Sequence, residues 1–163
     1  MGFAELHLHL EGTLEPELAF ALAERNKIAL PWRDPDDLRS RYDYGCLQDF
    51  LDLYYANMAV LRTEADFAEL TDAYLARAAR AGVVRAEVFL DLQAHTARGV
   101  PAAVVLAGVS DALSRSQADH GVSSGLIVTF LRHLSAADAE RAYDEALATG
   151  VDLLGIGLCS SEV

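Results

Sequence analysis

Three times in this chain a stretch of helical periodicity ends on glycine and runs directly into a short β-branched or apolar segment. Ala81-Gly82 precedes Val83 to Asp91, His120-Gly121 precedes Leu126 to Leu131, and Thr149-Gly150 precedes Val151 to Leu158. Glycine accepts the left-handed conformation that closes a helix, and a strand buried on both faces of a parallel sheet reads as a nearly continuous apolar run. An alternating segment, Glu5 to Glu11, stands in front of the first repeat. The resulting order, strand, helices, strand, helix, strand, helix, strand, predicts a parallel α/β sheet with right-handed crossovers. Helices are expected over about 15–26, 47–61, 64–81, 101–119 and 136–149. Thr63 with Asp66 and Ser135 with Asp138 have capping-box spacing, and Pro101 suits a first helical turn. Asp34-Pro35-Asp36-Asp37 reads as a loop and helix start, and the helices across Pro31 to Arg62 read as an insertion after strand 1.

Four strands in 163 residues set the architecture. A closed (β/α)8 barrel takes roughly 250 residues and seldom fewer than about 200. If the sheet belongs to a barrel, it is therefore half of one. A hydrophobic share of 52% excludes a disordered chain, and the net charge of −12 excludes a phosphate-gripping surface, so no nucleic-acid partner is expected. Cys46 and Cys159 belong to no metal or disulfide pattern. The first residues, Met1-Gly2-Phe3-Ala4-Glu5, lack the basic and apolar regions of a signal, and the apolar runs are strand-length. A cytoplasmic protein with no membrane partner is expected.

The chemistry-bearing segment is Glu5-Leu6-His7-Leu8-His9-Leu10-Glu11-Gly12. In a strand, alternate side chains share a face, so Glu5, His7, His9 and Glu11 are expected on one side and the leucines on the other. Imidazoles two residues apart, roughly 6.5 Å at Cα, can converge on one ion at about 2.0 to 2.1 Å. A solvated polar face gives the same alternation, so the spacing alone leaves both readings open.

The run His7-Leu8-His9-Leu10-Glu11-Gly12-Thr13-Leu14-Glu15-Pro16-Glu17-Leu18 resembles the opening of the metal-dependent adenosine/adenine deaminase family, within the amidohydrolase superfamily. Further segments resemble blocks of its adenine deaminase branch: Phe50 to Ala56, Arg85 to Phe89, Gln93 to Pro101, Phe130 to Ser135 and Ser160-Ser161-Glu162-Val163. The resemblance covers essentially the whole chain and implies a parallel (β/α) barrel of TIM type, present as a half-barrel of about four strands, with residues 1–163 as the N-terminal part of a single barrel domain. It implies His7 and His9 as zinc ligands at the C-terminal end of the first barrel strand, and Glu11, Ser160, Ser161 and Glu162 as substrate-side residues. The implied reaction is hydrolytic deamination of adenine or adenosine at purine C6, giving hypoxanthine or inosine and ammonia in purine salvage. Zinc in that family lowers the pKa of a bound water that attacks C6. Arg132, His133 and His95 follow strand ends and would lie on the active face of a barrel, where pocket-wall or supporting roles and plain loop or packing duties are both open; Tyr54 and Tyr55 lie in the region that borders the substrate entrance in the family, although an amphipathic helix burying one tyrosine gives the same pair, and His120 belongs to the opposite rim.

The resemblance also breaks. The family's His-Ala-Gly-Glu block, its further histidine and its late Asp-Asp pair have no counterpart here, so no catalytic acid is assigned. Leu92 replaces the usual proline, and Cys159 the usual aspartate, of the adenine branch. Two imidazoles fall short of the three protein ligands that catalytic zinc sites normally have. Such a half-barrel is expected to self-associate or to take up a complementary C-terminal half through its unpaired edges. Alternative readings are a fragment that folds or associates without turnover, and another amidohydrolase-type metal hydrolase.

Overall fold

The computed structural model describes residues 2–161. Four strands, β1 (Phe3–His9), β2 (Val83–Leu90), β3 (Ser123–Leu131) and β4 (Gly155–Cys159), form one all-parallel sheet in the order β1-β2-β3-β4. Seven α-helices connect them: α1 (Pro16–Asn26), α2 (Pro35–Arg39), α3 (Leu47–Met58), α4 (Glu64–Ala81), α5 (Leu92–Thr96), α6 (Ala102–His120) and α7 (Ala136–Ala148). The α/β half-barrel expected from the sequence is what the chain forms.

Local chemistry sets the boundaries. Both capping boxes are made, with Thr63 and Ser135 accepting from the backbone N–H of Asp66 and Asp138, and each aspartate accepting in return from its cap residue's N–H. Gly82 and Gly121 close α4 and α6 at φ 89° and 71°, a region costly for residues bearing a Cβ. Asp34 caps α2, whose first residue is Pro35. On one face of the sheet, Ala86, Val88, Leu90 and Val128 are fully buried. They sit beneath the helical layer in which α4 and α6 pack together, closely enough that a Cβ on Gly108 would stand 2.2 Å from the Glu64 carbonyl oxygen.

Three expectations need correction. The first strand ends at His9 rather than Glu11, because Leu10–Thr13 winds into a 3-10 turn that buries Leu10 and Glu11. Glu5 does not share a face with His7 and His9. The β1–β2 register shifts between Glu5 and Leu8, and Glu5 accepts at 2.8 Å from the Tyr74 hydroxyl of α4, on the helix side. The fourth strand begins at Gly155 rather than Val151. Residues 151–154 run outside the ladder, apart from a 2.7 Å hydrogen bond from Leu154 N–H to the Leu126 carbonyl. The short helix α5 had no forecast, since a single turn carries too little periodicity to read.

Candidate metal and substrate site

The C-terminal ends of the strands bring the site residues together. His7 and His9 lie on the sheet face away from the helices, with ring centroids 5.6 Å apart, and His7 stacks on Phe89 of β2 at 4.3 Å. Gly157 of β4 leaves room for that phenyl ring, since a Cβ there would lie 3.1 Å from it. The histidine pair therefore rests on an aromatic floor shaped by β2 and β4.

Behind the pair lies a buried polar network. Asp91, the residue after β2, accepts from His9 Nδ1 at 3.0 Å, Thr129 Oγ1 at 2.6 Å, Tyr54 Oη at 2.9 Å and Cys159 Sγ at 3.3 Å. Glu11 Oε1 accepts from the Asp91 N–H at 2.9 Å and from His95 Nε2 at 2.8 Å, and Glu11 Oε2 lies 3.2 Å from the Tyr54 hydroxyl. Arg98 Nη2 donates to His95 Nδ1 at 2.6 Å, which leaves Nε2 as the proton-bearing nitrogen of that ring. Every buried side-chain polar atom among the described residues has a partner. That completeness is what makes so polar a cluster tolerable in a core.

Electrostatics follow from these contacts. Burial alone would raise the Asp91 carboxyl, but hydrogen bonds from His9 and Thr129 hold it below the ordinary aspartate value. The Asp91 carboxylate in turn raises His9, against the opposing effect of burial. Burial and the neighbouring carboxylates push Tyr54 well above the usual phenol range, and the same causes push the Cys159 thiol up to about 12. Cys159 thus stays a protonated donor.

The substrate-side residues are placed unevenly. Glu11 has no side-chain exposure and its oxygens are committed to His95, Asp91 and Tyr54, although it also borders a recess of about 180 Å³ with Tyr42, Tyr44, Phe50 and Tyr54. Ser160 adopts a left-handed backbone at φ 72° and its Oγ accepts from Tyr55 at 2.9 Å, while Ser161 is half-buried. Glu162 lies outside the described residues. Arg132 and His133 are exposed after β3, His95 is fully buried in the network, and His120 stands on the opposite rim, 3.4 Å from Asp72. Asp91 escaped the sequence reading as a site residue. The available signal was its phase, in step with Arg85, Glu87 and Phe89 along β2 and directly after the strand's last residue.

The donor set can be tested against zinc. His9 presents Nε2 with Nδ1 engaged, and His7 supplies a second imidazole, so both suit a nitrogen-ligated metal. Among the described residues no group of three His, Cys, Asp or Glu side chains is placed to hold an ion. The fit is that of two ligands out of a larger set.

Residues 3–163 match the family model described as adenosine deaminase. Adenine deaminases of Pseudomonas savastanoi pv. phaseolicola and Pseudomonas syringae pv. syringae are 56% and 57% identical over 160 residues, 98% of this chain and 50% of each relative. The chain thus spans about half the length of the curated relatives it matches. The crystal structure of an adenine deaminase from Arthrobacter aurescens superposes with a TM-score of 0.95 at 56% identity, over 98% of this chain and 49% of that one. A zinc-bound amidohydrolase from Burkholderia ambifaria superposes with a TM-score of 0.86 at 25% identity, over 99% and 45%. No helix among the described residues is long and apolar enough to cross a membrane.

Proposed function

Since this chain belongs to the adenosine deaminase family, we propose that it is the metal-side, N-terminal half of a barrel that deaminates adenine, or adenosine, at C6 with release of ammonia. The observation that carries this reading is the His7–His9 pair at the strand ends, backed by Asp91, within a chain 56% identical to adenine deaminases. His7 and His9 would hold zinc, which when bound makes a nucleophilic water available at neutral pH. The chain's own contribution is to bind and to shape. Phe89 and Tyr54 wall the site, the buried network keeps bulk water from the back of His9, and Ser160 and Ser161, at the end of β4, are read as substrate-side residues. The product would be hypoxanthine or inosine, a reaction we read as one of purine salvage in the cytoplasm.

The apolar residues at the sheet edges support a complementary half as the partner, pairing along β1 and β4, with self-association as the outcome when that half is absent. A second reading, a fragment that folds without turnover, is favoured by the pair of imidazoles, to which the described residues add no third ligand.

Ammonia release from adenine, with adenosine in parallel, tests both. The chain supplied with zinc should be inactive alone and active when combined with the C-terminal half of the Arthrobacter aurescens enzyme. The His7→Ala/His9→Ala double variant should remove that activity. Activity surviving in the double variant would overturn the ligand assignment, and inactivity of a folded, stoichiometric assembly would establish the second reading.

A further inference from the structure

We infer that Asp91 is a positioning residue for metal binding: its carboxylate holds the His9 imidazole with the proton on Nδ1, so that Nε2 is the donor presented to the metal. The inference rests on the reading of His9 as a ligand. Each element around the sheet contributes one group to Asp91: β1 gives His9, β3 gives Thr129, β4 gives Cys159, and the inserted helix α3 gives Tyr54. An ionised carboxylate can only accept, so the nitrogen 3.0 Å away must donate. A neutral imidazole carries one ring proton, and committing it to Nδ1 leaves a lone pair on Nε2. Among the described residues no hydrogen bond engages that second nitrogen.

The other three donors determine where the carboxylate sits. Thr129 and Cys159 converge on Oδ1, the same oxygen that His9 engages, while Tyr54 pulls on Oδ2 from the opposite side. The carboxylate plane is thereby fixed against both the sheet and the insertion. Tyr54 is itself held against Glu11, and Glu11 is held by His95 and the Asp91 N–H. Orientation of a metal-ligating imidazole through its other nitrogen fixes tautomer and direction and raises ligand basicity. On this account the inserted helix takes part in site assembly, because it supplies the hydroxyl that stops Asp91 from rotating away from His9.

The test is ring-nitrogen NMR on the full chain, uniformly 15N-labelled and free of metal, at a pH well above the His9 titration, followed by zinc titration. Wild-type His9 should show a protonated Nδ1 and a bare Nε2. Asp91→Ala should release the ring to the Nε2–H tautomer that free histidine prefers, and weaken zinc about 10–100-fold. Asp91→Asn keeps an acceptor oxygen but loses the charge, so it should restore the tautomer and only part of the affinity. A merely structural role would alter folding without this tautomer pattern. If Asp91→Ala does not fold, the wild-type spectrum and Asp91→Asn still decide. A wild-type proton on Nε2, or zinc affinity unchanged in Asp91→Asn and Asp91→Ala, would overturn the role of Asp91 alone. Absence of zinc binding in wild type, with Nδ1 protonated, would overturn the ligand reading beneath it.

Discussion

The central strands β2 and β3 and the edge strands β1 and β4 carry the same kind of apolar residue and meet different fates. Ala86, Val88 and Leu90 are sealed beneath the helices, whereas Leu6 is 56%, Ile156 59% and Leu158 64% exposed. An apolar pattern states which face requires cover, and the topology decides whether the cover is local. For β2 and β3 it is, because the helix that leads into each strand, α4 into β2 and α6 into β3, packs back over it. For Leu6 of β1 and for Ile156 and Leu158 of β4 it is not, and these side chains stand open among the described residues.

The largest expected effect breaks this comparison directly. Phe67 of α4 is fully buried, with its ring edge-on to His95 at 4.9 Å. Phe67→Ala should cost about 3–5 kcal/mol in urea unfolding, since both transfer and cavity terms apply. Leu158→Ala, on an exposed edge, should change the stability of the chain alone by no more than about 0.5 kcal/mol. The comparison sharpens when unfolding is repeated with a complementary half. Covering β4 should raise the cost of Leu158→Ala to about 2–5 kcal/mol and leave that of Phe67→Ala unchanged. A large Leu158 effect in the dilute single chain, with no dependence on concentration, would show that the edge is already covered.

The same division marks what could be read in advance. Helices α4 and α7 were legible because capping boxes, glycine stops and amphipathic spacing are local and agree with one another. The parallel sheet was legible because three helix–glycine–strand phrases admit few topologies. Tertiary bonds defeated the reading elsewhere. Glu11 leaves the strand because His95, the Asp91 N–H and Tyr54, at sequence separations of 84, 80 and 43, draw it into a turn. Glu5 crosses to the helix side through a register shift that alternation does not signal. The value of Asp91 emerges only when four elements converge on it.

Glycine substitutions give an intermediate effect on the same contrast. Gly108 of α6 faces α4 so closely that a methyl group would lie 2.2 Å from the Glu64 carbonyl oxygen, and backbone cannot yield as a flexible side chain would. Gly108→Ala should therefore destabilise by about 1–3 kcal/mol even though alanine is the better helix former. Gly155 on β4 has nothing within 4 Å of such a methyl group. Gly155→Ala should leave the urea midpoint of the chain alone within error, and a cost equal to that of Gly108→Ala would contradict the assignment of β4 as an open edge.

The smallest effect compares the two capping boxes. Asp66 is buried, and its oxygens accept from the backbone N–H of Arg62 and Thr63, from Asn26 and from Arg25. Asp138 makes the same box with Ser135 at the exposed start of α7. Burial tends to raise the Asp66 carboxyl, but the Arg62 and Thr63 amides and the Arg25 and Asn26 side chains bring it below the ordinary value. For Asp138, the hydrogen bonds from Ser135 act in the same direction. A folded-state pKa below that of the unfolded chain, about 3.9, means that the carboxylate's contribution is present above that value and is lost as pH falls through the folded pKa. Asp66→Ala should cost about 1–3 kcal/mol near neutrality by stranding buried donors, with the pH-linked part of that cost fading on acidification. Asp138→Ala should cost measurably less, because water can satisfy the donors that it leaves. Chemical unfolding of both variants across the acid range reads the two slopes, and equal slopes would mean that burial of the box does not set its worth.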